Sequence, residues 1–270
     1  LNIDYRVAIL LLFFIIALIE VKKGRFPWPR KTTRKDLILE LTAGFFIPVI
    51  IVPGAFLGAM WLGRQILPGL SNIYGELPEW VMFLVFIFAD DLTQYWWHRL
   101  SHSVPKLYSF HRAHHSAEYM SVSIVYRNSL IYYFLMPGIW LSGLLVYLGF
   151  GAVYPWYAVA KLTVIMSAHS SVSWDQPLYK NRWSRPVMRF LACVISTPTT
   201  HAAHHGKFLS DAATHYKGNF GNFFFFWDLL FGTAMISERR PKAYGLENVT
   251  SASWFAELLW PPKIDSSDHV

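Results

Sequence analysis

The chain has 270 residues, 54 % of them hydrophobic and only 15 % charged, against about 25 % charged in an ordinary soluble domain. With 12 Trp, 14 Tyr and 21 Phe, it has the composition of a protein that meets a bilayer, whose interfaces collect aromatic rings. The net charge of +7 does not indicate nucleic acid, because the basic residues stand beside apolar runs and form no aromatic-interleaved groove; anionic headgroups and membrane topology account for them better.

The first apolar run, residues 7–19, reads as a spanning helix. Only Arg6 precedes it and no small-residue cleavage site follows, so it is expected to remain as an anchor. Lys22, Lys23, Arg25, Arg30, Lys31, Arg34 and Lys35 come next, which assigns that loop to the cytoplasmic side. A second run, roughly 38–62, crosses outward with kinks at Pro48 and Pro53. The loop 64–79 has one basic residue and is placed outside. Residues 80–97 return and deliver His98 and His102 to the cytoplasmic face. Residues 129–150 go out and 152–168 come back to deliver His169. Because this stretch contains Pro137, Gly138, Gly143, Gly149, Gly151 and Pro155, a shallow hairpin that dips and returns is the alternative. Lys161 inside it must snorkel or line a polar cavity. The remainder stays cytoplasmic. The expected fold is therefore all-α and integral to the membrane: about four to five transmembrane or re-entrant helices with a cytosolic helical cap, in one domain over 1–270. The tail after Trp260 is polar, and His269 in it is assigned no role. One cysteine, Cys193, excludes a disulfide framework and any Cys-x-x-Cys site, and fits a reducing compartment for the histidine-bearing face.

Ten of the eleven histidines fall between positions 98 and 215. Nine of these form four groups: His98 and His102; His111, His114 and His115; His169; and His201, His204 and His205. Spacings of i, i+3 and i+4 place imidazoles on one face of a helix, and neutral imidazole is the commonest metal ligand. Eight or more are too many for one ion, so the count points to two metals. A single histidine is as readily a satisfied core residue; a doubled His-x-x-His-His is not. Asp91, Tyr95, His98 and His102 form a stripe, and Asp91 is expected to accept a hydrogen bond from an imidazole of its own helix or a neighbour. Asp90 and Asp91 are costly in so apolar a run, so at least one is expected to be functional. Asp228 is a second buried-acid candidate.

All-nitrogen sites suit zinc, iron, copper and nickel. Structural zinc needs only four ligands, hydrolytic zinc pairs recruit bridging carboxylates, and soluble di-iron proteins use Glu-x-x-His pairs. What remains is a histidine-rich di-metal centre beside an apolar interior, an arrangement suited to oxidising an unactivated C–H bond with O2. Two other classes compete. A haem cytochrome would pair histidines on facing helices, which adjacent histidines fit poorly. A histidine-rich metal-binding or transport protein would string its ligands along a transmembrane path.

The ordered series of histidine groups resembles the fatty acid hydroxylase / sterol desaturase superfamily of integral-membrane di-iron enzymes. So does Lys217-Gly218-Asn219-Phe220-Gly221-Asn222 with the later Trp227-Asp228-Leu229-Leu230-Phe231-Gly232-Thr233. The resemblance spans about 80–235. It implies that His98, His102, His111, His114, His115, His201, His204 and His205 are the core metal ligands and His169 an additional one. Asp91, Asp228 and Asn219 are the candidate catalytic residues beside them. It further implies two iron ions (zinc can displace iron during purification), O2, an external electron-transfer partner or reductant, and a membrane lipid substrate such as a sterol, fatty acyl or alkyl lipid. Hydroxylation is expected ahead of desaturation, in a bacterial inner membrane or endoplasmic reticulum, with the oligomeric state left open. The sequence departs from the pattern at Ser173, where some members have a further histidine. His215 is expected either to replace that ligand or to face the substrate, with ligation slightly preferred.

Overall fold

Helix α1 (Tyr5–Lys22) starts at Asp4, whose carboxylate accepts from the Arg6 N–H at 2.8 Å. The computed structural model describes residues 4–247 and 252–261, so His269 lies outside the described residues. Among these the chain is helical, without a sheet beyond two isolated bridges, Ile195–Phe224 and Gly206–Tyr244.

A capping box opens α2 (Arg34–Phe46): Thr33 Oγ1 accepts from the Asp36 N–H while Asp36 Oδ2 accepts from the Thr33 N–H. α2 continues through a π-turn, Ile47–Ile51, into α3 (Val52–Ile66). The expected kink takes the form of that π-turn. Pro48 opens it and Pro53 follows it, each removing one N–H from the ladder of the continuous helix. The continuous helix Arg34–Ile66 has 33 residues and is long and apolar enough to cross a membrane.

α4 (Glu79–Ser101) runs through the middle of the molecule, and α5 (Pro105–His115) turns back from its end. Residues 129–150 are not one helix. Met136 is extended ahead of Pro137, as a residue before proline tends to be, so the run divides into α6 (Leu130–Leu135) and α7 (Pro137–Tyr147). A 3-10 turn then leads to α8 (Tyr154–His169). At roughly 16 Å, α7 falls well short of a bilayer's hydrocarbon thickness.

Both α7 and α8 pack on α4, through Met82, Phe86, Leu145 and Tyr157. α3 lies tightly along α7 because Gly143 has no side chain. A Cβ there would fall on the Phe56 carbonyl and 2.9 Å from the Ala59 Cβ. The chain finishes in short helices: α9 (Gln176–Lys180), α10 (Arg185–Val194), α11 (Pro198–His204), α12 (Phe226–Leu230) and α13 (Trp254–Leu259).

The outer faces of α1 to α4 expose Leu10, Phe14, Leu57, Trp61, Trp80 and Leu84, an apolar surface far larger than scattered exposure would give. Glu20 is the buried exception on α1. Its carboxylate accepts from Ser121 Oγ (2.6 Å), Val122 N (3.1 Å), Ser170 Oγ (2.9 Å) and Ser171 N (2.9 Å). That one side chain ties the end of α8 to the start of the 3-10 turn Val122–Tyr126, and both flank the histidines.

Candidate metal centre

Four helix ends deliver nine imidazoles to one place. His98 and His102 close α4, His111, His114 and His115 close α5, His169 closes α8, and His201, His204 and His205 close α11. All nine are at most 6 % exposed. Their nitrogens fall into two groups, each with its ligand atoms within 4.8 Å of one another. The first holds His98, His102, His111, His115 and His204; the second holds His114, His169, His201 and His205.

The partition explains the doubled motif. Adjacent residues on a helix point about 100° apart, whereas i and i+4 share a face. Each His-x-x-His-His therefore sends its i, i+4 pair to one group and its i+3 imidazole to the other. α5 gives His111 and His115 to the first group and His114 to the second; α11 gives His201 and His205 to the second and His204 to the first. The two segments meet through their rings, with His115 stacked on His205 at 4.4 Å between centroids.

Hydrogen bonds fix which nitrogen carries the proton. Nδ1 of His98 donates to the Phe220 carbonyl (2.8 Å), that of His204 to the Gly218 carbonyl (2.8 Å), and that of His111 to Asn128 Oδ1 (2.9 Å). In the second group Nδ1 of His114 donates to the Ile124 carbonyl (3.1 Å) and that of His169 to the Ile165 carbonyl (2.7 Å). A neutral imidazole has one N–H, so Nε2 of each of these five rings presents a lone pair. Yet His114 Nε2 lies 3.2 Å from His169 Nε2, two lone pairs facing each other with no proton to share. Nε2 atoms also meet at 3.1 Å for His102 and His115, 3.2 Å for His115 and His111, 2.9 Å for His201 and His169, and 3.2 Å for His205 and His201. Two nitrogens about 2.1 Å from a shared cation and 90–110° apart would be roughly 3.0–3.4 Å from each other. All of these contacts but the shorter His201–His169 one fall in that range, the spacing of ligands around a cation. Nε2 of His98 and of His204 is buried with no hydrogen-bond partner, as a nitrogen reserved for a metal would be.

Electrostatics agree. Burial, followed by neighbouring imidazoles, holds His114, His115, His201 and His205 well below the ordinary histidine pKa. These rings are neutral at physiological pH, the form a metal requires.

The acids and the amide have other work. Asp91 lies seven residues before His98, about 10 Å along the axis, too far to reach that imidazole. Its carboxylate instead accepts from Phe223 N (3.2 Å), Phe224 N (2.9 Å) and Trp227 Nε1 (3.0 Å), so the expected imidazole contact is absent. Asp228 accepts from Phe220 N (2.8 Å), Gly221 N (2.7 Å) and Thr233 Oγ1 (2.6 Å). It thereby holds the Phe220 peptide whose carbonyl receives His98. Asn219, at φ 57°, donates to the Thr200 and Met235 carbonyls (2.9 Å each) and accepts from Met235 N (2.7 Å). Of the three, Asp228 is joined to a histidine through the backbone, by way of the Phe220 carbonyl that receives His98; Asp91 and Asn219 bind backbone around it.

His215 stands outside both groups. Its backbone N–H does return to the Ala203 carbonyl at 2.7 Å, but its Nε2 faces the Thr233 carbonyl at 3.1 Å. The preference for ligation is corrected accordingly. Ser173 does not share the His169 face, because α8 ends at His169 and Ser170 is non-helical. Three contributors carried no sequence signal: Asn128, Glu20, and Arg240, whose guanidinium donates to the Ser170 (2.6 Å), Ser171 (3.1 Å) and Pro198 (3.2 Å) carbonyls and so clamps α8 to α11.

Beside the imidazoles lies a cavity of about 160 Å³. His98, His111, His114 and His169 line one part of it, and apolar side chains such as Val52, Phe56, Ile139 and Leu162 line much of the rest. Lys161 lines it too, in an ion pair with Asp90, which is the second of the two roles expected for it.

The sequence model of the family described as fatty acid hydroxylase matches residues 83–233. Among curated proteins the chain is similar to the alkylglycerol monooxygenase of Danio rerio, 26 % identical over 243 residues that cover 84 % of this chain and 47 % of that one. It is likewise similar to the alkylglycerol monooxygenase of Xenopus tropicalis, 24 % identical over 260 residues, 90 % of this chain and 50 % of the other. That of Homo sapiens is 26 % identical over 177 residues, 66 % of this chain and 35 % of the other. The chain thus spans about half the length, or less, of these relatives. No solved structure matches it.

Proposed function

Because the chain belongs to the fatty acid hydroxylase family, we propose that it is a membrane-bound, non-haem di-iron monooxygenase that hydroxylates a C–H bond of an alkyl lipid, using O2 and an external electron donor. The observation that carries this reading is the pair of buried imidazole groups, each with its nitrogens within 4.8 Å of one another, with the Nε2 lone pairs of His114 and His169 facing each other at 3.2 Å and no proton to share. The nine histidines would hold the two ions, five around one and four around the other. Nitrogen ligands alone admit several metals; iron is proposed because oxidation of a C–H bond with O2 needs a redox-active ion, and when bound the pair would supply that chemistry.

The residues of the chain supply position and shelter. The Phe220, Gly218, Ile124 and Ile165 carbonyls with Asn128 orient five of the rings, and such outer partners also raise ligand basicity. Asp91 and Asp228 hold the backbone of 220–224 in register with α4. The cavity offers an apolar path to His98, His111, His114 and His169, where an alkyl chain would displace water from the reacting carbon. The alkylglycerol monooxygenase relatives favour an alkyl lipid over a sterol. The apolar outer faces of α1 to α4 and the Arg34–Ile66 helix support residence in a bilayer, with the basic stretch Lys22–Lys35 and the histidines on the cytoplasmic side.

The test is metal analysis of gently purified protein together with turnover of alkyl lipids under isotopically labelled O2. About two non-haem metals per chain and one labelled oxygen in the product are expected. One metal per chain, or a haem Soret band, would refute the centre. A product that has lost two hydrogens without gaining oxygen would make the protein a desaturase.

A further inference from the structure

Helix α10 carries three stripes of different chemistry. Met188 and Ala192, four residues apart, are buried in a cluster with Tyr179, Trp174 and Ile236. Arg185 and Arg189, again four apart, donate to the Glu238 carboxylate at 3.0 and 2.9 Å. The third stripe, Val187 and Phe190, faces outward together with Trp183 just before the helix, and these three are 66 %, 71 % and 76 % exposed. Single exposed apolar residues are ordinary, but three large ones side by side on one short helix mark a contact surface.

Two observations identify what it contacts. Residues 176–194 contain four basic side chains, Lys180, Arg182, Arg185 and Arg189, and no acid. Glu238 offsets one of those charges, so the apolar stripe has a positive border. The stripe also continues the apolar outer surface of α4. The Val194 carbonyl accepts from the Phe225 N–H at 2.9 Å, and Ile195 bridges to Phe224. The Phe224 ring in turn stacks on Phe88 of α4, 4.9 Å between centroids. Leu229 and Leu230 of the adjoining α12 are exposed as well. α10 thus lies at the margin of the lipid-facing surface, where aromatic and aliphatic side chains enter the acyl boundary and cations meet phosphate. An acidic protein would match the charge but not this continuity.

Resting on residence in the bilayer as proposed above, we infer that α10 lies in the plane of the cytoplasmic interface and binds an anionic lipid surface. Trp183, Val187 and Phe190 insert, and Lys180 and Arg182 contact headgroups. Only Ile195 and Ser196 separate α10 from Thr197, the cap of α11. The anchor therefore sets the depth of the helix that bears His201, His204 and His205.

The test is spin-label depth measurement on the full chain in nanodiscs. In protein carrying Cys193→Ser, single labels are placed through Phe190→Cys, Leu57→Cys on the outer face of α3, and Lys242→Cys on the exposed side of the cap. Val187→Cys reports the same stripe should Phe190→Cys fail to fold. Collision with O2, which concentrates in lipid, against a water-soluble nickel chelate gives each depth, in phosphatidylcholine alone and in a mixture with phosphatidylglycerol. The Leu57 label should be in lipid and the Lys242 label in water in both discs. The Phe190 label should sit about 5–10 Å into the boundary in the anionic disc and measurably shallower in the neutral one. Lys180→Gln with Arg182→Gln should abolish that difference, because the attraction scales with the basic residues near the surface. A Phe190 label in water in both discs would overturn the inference. So would a label shielded from both colliders, which would mean that protein covers the stripe, or equal depth in the two discs with the charges intact. A Leu57 label in water would overturn residence in the bilayer itself.

Discussion

Replacing His114 and His115 one at a time should give two different proteins, although the residues are neighbours. His114 belongs to the four-imidazole group and His115 to the five-imidazole group. Without His114 the second group keeps His169, His201 and His205; without His115 the first keeps His98, His102, His111 and His204. Four-ligand zinc sites bind with about 10–16 kcal/mol, so one imidazole of four accounts for roughly 3 kcal/mol, on the order of a hundredfold in affinity. Iron(II) stands lower in the affinity series, which makes this an upper figure. His114→Ala should therefore drop from about two metals per chain toward one under mild chelation, whereas His115→Ala, still with four imidazoles, should hold both more weakly. Because α11 is partitioned the opposite way, His205→Ala should behave like His114→Ala and His204→Ala like His115→Ala. Metal analysis after graded chelation reads the stoichiometry, and Mössbauer spectra of enriched-iron protein read which of two inequivalent sites has changed. If His114→Ala and His115→Ala perturb the same site, the crossed partition is wrong.

Asn128→Leu removes the acceptor that holds His111 and should weaken metal binding by roughly 10–100-fold, while Asn128→Asp should restore it, both read by chelator competition. Glu20→Ala strands two hydroxyls and two N–H groups that now share one carboxylate and should cost about 2–4 kcal/mol; thermal unfolding of the detergent-solubilised protein measures it. His215→Ala should leave metal content unchanged, since its ring faces the Thr233 carbonyl; a drop in metal content would return it to the ligand set. In a chain lacking Cys193, cysteines placed at Lys31 and Ser71 should label from opposite sides of the membrane with an impermeant reagent, and labelling of both from one side would contradict the proposed orientation.

The histidine groups were legible because helical spacing is local: i, i+3 and i+4 put rings together whatever the rest of the chain does. Their division into five and four was not, because it depends on how α5 and α11 face each other across about eighty residues of intervening chain, and no short pattern records that. The ring-orienting partners were hidden for a different reason. Four of the five are backbone carbonyls, and a carbonyl is present at every position, so its use leaves no trace in residue identity. Asp91 shows where local reasoning misleads. The stripe through Tyr95, His98 and His102 is real and buried, but an acid two turns away serves whatever packs beside it, here the 223–227 backbone. The break between α6 and α7 was written in the sequence as Met136-Pro137 but outweighed by the apolar run around it, since hydropathy sums over a window and a single peptide decides whether a helix continues. Lys161 was legible only as an anomaly. A charge that cannot face lipid cheaply must find a partner or a cavity, and the fold supplies both in Asp90 and the space beneath the imidazoles. Residues that break the apolar pattern therefore marked the interior of the site as reliably as the histidines marked its rim.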